Sequence, residues 1–163
     1  MSVRVAVLTI SDRRARGEGE DEGGPLIERM VTDAGCEVVQ QGIVADERDH
    51  IEARLRGWSN SGDADVIITT GGTGLGPRDV TPEATKAVID YEAPGLAELM
   101  RAHGMTKTPF AALSRQVCGV RNRTLIINLP GSPKAVAEGL DAILPVLGHA
   151  VEMMHGGSPP VSI

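Results

Sequence analysis

Four glycines and one aspartate in the middle of the chain have the spacing most suggestive of chemistry. The glycines are Gly71, Gly72, Gly74 and Gly76, and Asp79 follows them. Glycine turns allow several backbone N–H groups to approach one anion, most often a phosphate. A carboxylate beside a phosphate is unfavourable unless a cation lies between them, so Asp79 favours a bound Mg²⁺. The sequence therefore predicts a nucleotide-phosphate site with a divalent metal.

This glycine loop matches neither of the two common phosphate-binding glycine motifs. No lysine follows the glycines, as a P-loop requires, and their spacing is not G-x-G-x-x-G. The alternative interpretation is a turn that only reverses the chain. Four glycines exceed what one such turn requires, so the phosphate interpretation is preferred.

Other polar residues follow apolar runs that are expected to be strands. Ser11 and Asp12 follow the first run, Asp46 follows the second, and Gly131 and Ser132 follow the last. Ser11 and Asp12 could equally form a turn or cap a helix, and Asp46 could be a carboxylate at a helix N-terminus. In open α/β sheets, however, ligands bind at the carboxyl ends of strands. We therefore expect these residues to meet the glycine loop.

The elements around the loop predict a fold that would hold it in place. Val66 to Thr70 is a β-branched run typical of a strand buried on both faces, and Thr81 followed by proline is expected to cap the next helix. Similar strands and helices alternate along the rest of the chain. The prediction is an α/β three-layer sandwich, with a mostly parallel central sheet and helices on both faces. Residues 1–155 are expected to form one domain, and residues 156–163 a disordered tail.

Composition excludes some classes of partner. With 163 residues, a formal charge of −6 and a pI near 5.2, the chain offers no basic stripe for nucleic acid. No apolar run reaches the length of a membrane span, so we expect a cytoplasmic protein. Cys36 and Cys118 are isolated and are expected to be reduced, buried thiols.

The chain also lacks an evident nucleophile–base group. His103, His149 and His155 fall on predicted helices or in the tail and are expected to be surface or core residues. This favours a reaction run by positioning and charge neutralisation, such as adenylyl or phosphoryl transfer, in which a substrate brings the nucleophile. A hydrolase is a weaker alternative, because carboxylates would be its only general bases.

Four motifs together resemble one family. GGTGLGPRDVTPEAT at 71–85 is similar to the signature loop of the molybdopterin adenylyltransferases, which include MogA/MoaB-type proteins and the G domain of gephyrin. LTISDR at 8–13, PFAALSRQ at 109–116 and LIINLPGSPKAVAE at 125–138 occur in the same order as in that family. The resemblance thus covers nearly the whole chain. It implies transfer of AMP from Mg-ATP to the phosphate of molybdopterin, release of pyrophosphate, and handover of the product to a molybdate-insertion protein.

The same resemblance assigns roles to residues. Asp46 and Asp79 match the two acids that the family requires, and would bind Mg²⁺ and hold the reacting phosphates. The remaining matches would cradle the nucleotide or line the substrate pocket: Gly71, Gly72, Thr73 and Gly74 for the former, and Ser11, Asp12, Ser114, Gly131 and Ser132 for the latter. The family also suggests a homotrimer. A non-catalytic molybdopterin-binding or scaffold trimer of the same fold is the alternative, although a scaffold has no physical need for the two acids.

Two departures from the family pattern are visible. The family's D-x-S-G-P reads Asp21-Glu22-Gly23-Gly24-Pro25 here, so a hydroxyl role at Gly23 is in doubt. The sequence PGSP replaces the form PGNP, which is a mild change. The acids and the glycine loop, on which the expected chemistry depends, are intact.

Overall fold

Strands and helices alternate along most of the chain, as the apolar runs predicted. The computed structural model describes residues 2–157. The strands are β1 (Arg4–Ile10), β2 (Glu37–Val44), β3 (Val66–Thr70), β4 (Tyr91–Glu92), β5 (Cys118–Arg121) and β6 (Thr124–Leu129). The helices are α1 (Asp12–Ala15), α2 (Gly23–Asp33), α3 (Arg48–Ser61), α4 (Thr81–Val88), α5 (Pro94–Met105) and α6 (Pro133–Met154), with a short 3₁₀ helix at Pro109–Leu113.

The strands form one sheet in the order β2-β1-β3-β6-β5-β4. Strands β2, β1, β3 and β6 run parallel to one another. Strand β5 pairs antiparallel with both β6 and β4. The predicted mostly parallel sheet is confirmed.

Side chains of β1 alternate between two cores, one on each face of the sheet. Val5 and Val7 belong to a core shared with α2, α5 and α6. Ala6, Leu8 and Ile10 belong to a second core shared with α3 and α4. Because both faces are covered, the central strands have near-continuous apolar sequences. The three-layer arrangement predicted from the sequence is confirmed.

The sheet has a reversal of strand order beside β1. This strand lies between β2 and β3, so the chain crosses from one side of β1 to the other after β2. Such a reversal opens a crevice at the carboxyl ends of the strands, where α/β proteins bind ligands. Ser11 and Asp12 follow β1 and the glycine loop follows β3, so predicted site residues lie on both sides of this crevice.

Thr81 is not the helix cap that the sequence predicted. Val80 occupies the cap position of α4, and Thr81 is the first helical residue. The Thr81 hydroxyl instead donates a hydrogen bond to the Gly71 carbonyl at 2.9 Å. The cap prediction was wrong because this hydroxyl holds the start of the glycine loop.

Helix α6 is 22 residues long and is the last helix of the described residues. The N–H groups of Gly156 and Gly157 donate to carbonyls of its last turns, at Met153 and Glu152. Residues 158–163 of the predicted disordered tail lie outside the described residues, so the tail stays a prediction. Within residues 2–157 no helix combines the length and the apolar character that crossing a membrane requires.

Candidate active site

The glycine loop begins with two residues whose backbone requires glycine. Gly71 has φ 104° and Gly72 has φ 69°, both in the region that L side chains rarely adopt. A Cβ on Gly71 would stand 2.2 Å from the backbone oxygen of Ile10. A Cβ on Gly72 would stand 2.3 Å from Thr81 Oγ1 and 3.1 Å from Asp46 Oδ1. The loop therefore packs directly against the end of β1 and against Asp46.

Asp79 lies where the glycine loop curls back on itself. Its Oδ2 accepts the N–H of Gly76 at 2.9 Å, and its own N–H donates to the Gly76 carbonyl at 3.0 Å. A Cβ on either Gly74 or Gly76 would stand 2.9 Å from Oδ2. The two later glycines thus leave room for this carboxylate inside the loop.

Asp12 and Asp46 hold each other through reciprocal bonds. The N–H of Asp12 donates to Asp46 Oδ2 at 2.8 Å, and the N–H of Asp46 donates to Asp12 Oδ1 at 3.0 Å. These bonds join the carboxyl ends of β1 and β2. Within residues 2–157 Asp46 Oδ1 accepts no hydrogen bond from the protein, and it faces Gly72. One carboxylate oxygen is therefore directed at the base of the glycine loop.

The two acids have opposite electrostatic surroundings. Burial raises the pKa of the Asp46 carboxyl above its ordinary value, and the charges of Asp12 and Asp79 act in the same direction. The hydrogen-bonded guanidinium of Arg78 lowers the pKa of Asp12. Three carboxylates thus converge, with the most deeply buried one between the other two. The Arg78 guanidinium offsets part of this negative charge.

Arg78, a residue without a predicted role, pairs with two acids beside the glycine loop. Its Nε and Nη2 donate to the Asp12 carboxylate at 3.0 and 3.1 Å. Nη2 also donates to Glu47 Oε1 at 2.7 Å. Both oxygens of Asp12 are therefore engaged with protein groups, and the far side of the glycine loop is tied to the ends of β1 and β2.

Ser11 and Asp46 both lie at a helix N-terminus as well as at a strand end. Ser11 is the N-cap of α1, and its Oγ accepts the N–H of Arg14 at 3.3 Å. It also lines a cavity of about 230 Å³, whose wall includes Asp21 and Gly131. Asp46 directly precedes Glu47, the N-cap residue of α3, so it too lies at a helix N-terminus, as the alternative held.

A larger cavity of about 470 Å³ lies on the other side of the glycine loop. Gly72, Gly74 and Asp79 form one wall of it. The opposite walls come from α5, the 3₁₀ helix and the start of α6, and include Ser114, Gly131 and Ser132. A volume of this size suits a small organic ligand. The cavity thus brings together residues that the sequence placed in one site.

A chain of polar side chains lies in the wall of this cavity. Thr73 Oγ1 and Ser114 Oγ are 3.2 Å apart, and Ser114 Oγ also bonds Gln116 Oε1. An amide oxygen can only accept, so Ser114 donates to Gln116 and Thr73 donates to Ser114. Gln116 is buried. Sequence reasoning gave Gln116 no role, although it lies only two positions after Ser114.

A second glycine turn, residues 130–132 after β6, contacts the glycine loop. Thr70 Oγ1 donates to the Pro130 carbonyl at 2.8 Å, and a Cβ on Gly131 would stand 3.5 Å from the Cα of Gly71. Ser132 caps α6 by accepting the N–H of Ala135 at 3.2 Å. The two turns therefore meet above β3 and β6, with the N-terminus of a long helix beside them.

The position that differs from the family's D-x-S-G-P lies close to this junction. A Cβ on Gly23 would stand 3.0 Å from Thr70 Oγ1. Asp21 of the same stretch accepts the Thr9 hydroxyl at 2.7 Å and the Gly24 N–H at 3.1 Å. Glycine at 23 therefore lets the loop pack against β3, and Asp21 fixes the loop without a serine hydroxyl.

The donor set fits Mg²⁺ better than a structural metal. Within residues 2–157 no group of three or more histidine, cysteine, aspartate or glutamate side chains is arranged to hold an ion. Two carboxylates, Asp46 and Asp79, face the glycine loop instead. Mg²⁺ is usually held by one or two carboxylates together with substrate phosphates and water, so the residues present fit that ion. Cys118, whose pKa burial raises to about 12, is unsuited to metal binding or nucleophilic attack.

Comparison with known proteins decides the family. The model of the family described as "Probable molybdopterin binding domain" matches residues 6–149. The chain belongs to this molybdopterin-binding domain family. The resemblance inferred from the four motifs is confirmed.

Individual members of the family are similar over most of their length. The molybdopterin adenylyltransferase of Helicobacter pylori (strain J99) is 42% identical over 157 residues, which is 95% of this chain and 89% of the relative. The protein of the same name from Escherichia coli (strain K12) is 39% identical over 95% of this chain and 80% of its own. The crystal structure of the molybdopterin biosynthesis enzyme MoaB from Thermus thermophilus superposes with a TM-score of 0.90. It shares 52% identity and covers 96% of this chain and 98% of its own.

Proposed function

We propose that this protein is a molybdopterin adenylyltransferase, which transfers AMP from Mg-ATP to the phosphate of molybdopterin and releases pyrophosphate. The reaction belongs to molybdenum cofactor biosynthesis. The observation that carries the proposal is the meeting of Asp46 and Asp79 at a glycine loop that forms one wall of the 470 Å³ cavity. Relatives that bear this activity in their names, at about 40% identity over most of the chain, support it.

Each part of the site has a task in this reaction. The glycine loop, including Gly71, Gly72, Thr73 and Gly74, cradles nucleotide phosphate through its N–H groups. The cavity beside it takes the pterin, with Ser114, Gly131 and Ser132 in its wall. Ser11 and Asp12 border the site on the β1 side. Asp79 belongs to the glycine loop and also lines the cavity, so the phosphates of the two substrates would meet beside it.

Asp46 and Asp79 are the residues that would hold Mg²⁺, together with phosphate oxygens. When bound, this ion supplies positive charge that neutralises the reacting phosphates. Asp12 and Asp46 keep each other in place, and Arg78 keeps the outer part of the loop against them. The protein thus contributes preorganised charge and orientation.

No protein side chain has to act as the nucleophile in this reaction. The phosphate of molybdopterin is already ionised at neutral pH and can attack directly. Among the described residues that line the 470 Å³ cavity there is no histidine and no cysteine. The polar wall formed by Thr73, Ser114 and Gln116 orients the bound substrate, which is sufficient for a transfer driven by positioning.

Further properties follow from the family rather than from residues in the site. The protein assembles as a homotrimer, acts in the cytoplasm and hands its product to a molybdate-insertion protein. Sedimentation at micromolar concentration tests the trimer directly. A monomer as the sole species would contradict it.

Replacement of Asp79 is the sharpest test of the proposed activity. Asp79→Asn keeps an oxygen to accept the Gly76 N–H but removes the charge, so folding is expected to be nearly intact. Loss of one preorganised charge contact is expected to lower adenylyl transfer by on the order of 100-fold. The measurement is pyrophosphate release at saturating Mg-ATP and molybdopterin, with a melting curve on the same samples.

A matched control is Asp90→Asn. Asp90 is exposed, lies after α4, and its carboxylate bonds the Asn122 N–H on the side of the sheet away from the loop. Turnover of this variant is expected to stay at the wild-type level. Wild-type turnover in folded Asp79→Asn would overturn the proposal. Pterin binding without any pyrophosphate release by the wild type would favour the non-catalytic binding or scaffold function instead.

A further inference from the structure

Arg115 bonds the glycine loop at three places, and its neighbours in sequence line the large cavity. Its backbone N–H donates to the Thr73 carbonyl at 2.7 Å. Its Nε donates to the Gly74 carbonyl at 2.8 Å, and its Nη2 donates to the Asp79 carbonyl at 2.8 Å. One residue thus binds three carbonyls of a single loop. Two of them, at Gly74 and Asp79, lie at the two ends of segment 74–79.

The remaining nitrogen of Arg115 anchors the guanidinium to a helix. Nη1 donates to Glu83 Oε1 at 2.5 Å, and Glu83 lies in the first turn of α4. Burial alone would raise the pKa of Glu83, but the bond with Arg115 holds it below its ordinary value. A planar guanidinium with five N–H groups can reach all of these acceptors at once. A lysine ammonium, a point charge on a flexible stem, cannot.

The neighbours of Arg115 belong to the other half of the site. Ser114 and Gln116, on either side of it in sequence, line the 470 Å³ cavity and form its polar wall. A displacement of this segment by a ligand in the cavity would therefore be passed to the glycine loop. Other bonds hold the two ends of the loop: Thr81 bonds Gly71 and Gly72, Gly71 bonds Leu129, and Arg78 bonds Asp12 and Glu47. Among the described residues, none of these bonds reaches the carbonyls of Thr73, Gly74 and Asp79 that Arg115 binds.

We propose that Arg115 is a positioning residue that sets the glycine loop, and Asp79 with it, from the wall of the pterin cavity. This role rests on the proposed adenylyl transfer, and Arg115 acts without touching the reacting groups. Because Arg115 bonds the loop while Ser114 and Gln116 line the cavity, occupation of the cavity and placement of Asp79 are coupled. The consequence is a loss of turnover, rather than of pterin binding, when Arg115 is replaced.

A double-mutant cycle tests whether Arg115 acts through Asp79. Arg115→Gln is expected to lower kcat by on the order of 10- to 100-fold, with a smaller change in KM for molybdopterin. Since the Asp79 charge that Arg115 positions is already absent there, Arg115→Gln in the Asp79→Asn background is expected to lower kcat by no more than about threefold further. Arg115→Lys is expected not to restore turnover. The proposal would be overturned if the effects of the two substitutions on kcat multiply, or if Arg115→Lys has wild-type turnover.

Arg101→Gln is the matched control. Arg101 Nη1 donates to the carbonyls of Ser114 and Gln116 at 3.3 and 3.1 Å, so it supports the same segment. It makes no hydrogen bond to the glycine loop among the described residues. Its replacement is expected to change KM for molybdopterin. Any effect that it has on kcat is expected to multiply with that of Asp79→Asn.

Hydrogen–deuterium exchange of the substrate-free protein provides a readout that does not depend on activity. The amides of Gly76, Asp79 and Thr81 are hydrogen-bonded within the loop and report on its order. Arg115→Gln is expected to raise their exchange, whereas Arg101→Gln is not; if Arg115→Gln does not fold, Arg115→Lys is used instead. Unchanged exchange in the folded variant would overturn the positioning role even if the enzyme proved inactive on molybdopterin. Raised exchange in Arg115→Gln, combined with a wild type that shows no transferase activity, would contradict only the proposed function.

Discussion

Asp46 lies half-buried between two other carboxylates, Asp12 and Asp79. Burial raises the pKa of Asp46, and so do the charges of both neighbouring carboxylates; these effects outweigh the Asp12 N–H and the Arg78 charge, which favour ionisation. The negative charge of Asp46 is what the proposed reaction requires. At the scale of this residue, stability and activity therefore oppose each other.

This opposition predicts the behaviour of Asp46→Asn. The amide oxygen can still accept the Asp12 N–H, while the negative charge is lost. The variant is expected to melt about 1–4 °C above the wild type without ligands, the shift that about 0.5–1 kcal/mol produces in a protein of this size. Its melting temperature is expected to rise less on adding Mg-ATP, and its turnover to fall by on the order of 100-fold.

Asp49→Asn is the control for the Asp46 prediction. Asp49 is exposed in the first turn of α3, where a carboxylate is favoured by the helix N-terminus. Its replacement is expected to lower the melting temperature slightly and to leave the response to Mg-ATP intact. If Asp46→Asn melts well below the wild type, the charge at position 46 is not the source of instability.

At the scale of elements, the close approach of the glycine loop to β1 has a measurable cost. Gly71→Ala would place a Cβ 2.2 Å from the Ile10 carbonyl at a backbone φ of 104°. The expected loss in the free energy of unfolding is more than about 2 kcal/mol, because both the clash and the strained φ must be accommodated. Urea unfolding curves measure it.

Gly57→Ala makes the same chemical change without the clash. Gly57 lies inside α3, and a Cβ there meets no atom within 4 Å. This variant is expected to gain about 0.5–1 kcal/mol, since alanine is the better helix former. A Gly71→Ala protein as stable as wild type would show that the end of β1 can move away from the loop.

The elements that sequence predicted well are those with a strong local pattern. The β-branched run before the glycine loop could only be a strand, and the residues after β1, β2 and β6 met it because parallel strands end at a common edge. Strand β4 was missed, since its two residues, Tyr91 and Glu92, are exposed and carry no periodic signal.

Other features depend on neighbours that are distant in sequence. Nothing local distinguishes Thr81 as a donor to Gly71 from Thr81 as a helix cap, because both use the same hydroxyl. The roles of Arg78, Arg115 and Gln116 arise from partners more than 30 positions away or from the fold of the cavity wall. Motifs identified the loop that these residues hold, but not the contacts that hold it.

At the scale of the whole molecule, a buried acid, Asp65, joins several elements at the amino edge of the sheet. Asp65, which is 4% exposed, accepts the Arg4 N–H at 2.9 Å and pairs with its guanidinium at 2.9 Å. His155, after α6, lies 3.7 Å away. One carboxylate thus ties the starts of β1 and β3 to the end of the last helix, on the side of the sheet opposite the proposed site.

This arrangement predicts how stability depends on pH. Burial alone would raise the pKa of Asp65, but its bonds with Arg4 hold it below the ordinary value. A depressed pKa means that the pairing stabilises the fold above the unfolded pKa of about 4 and is lost as pH falls through the folded pKa. Asp65→Asn is therefore expected to lower the free energy of unfolding at pH 7 by about 1–3 kcal/mol, the scale of hydrogen bonds to a charged group, and to lose that difference as the solution is acidified below about pH 4.

Asp63→Asn is the control, since Asp63 is exposed in the same turn and makes no ion pair among the described residues. It is expected to change stability by less than about 0.5 kcal/mol at either pH. Denaturant unfolding followed by circular dichroism at several pH values makes the comparison. A difference between Asp65→Asn and wild type that persists unchanged into acid would contradict the assignment.

The order of strands in the sheet also has a consequence for synthesis on the ribosome. Strand β6 is the last strand in the chain, yet it lies in the middle of the sheet, between β3 and β5. Until residues 124–129 have left the exit tunnel, the fully buried strand β3 has one open edge of unpaired N–H and C=O groups. At ordinary elongation rates that interval lasts several seconds. During this interval the nascent chain exposes the edge of β3, a short β-branched segment of the kind that aggregates. Binding by a chaperone or by the ribosome surface would protect this edge.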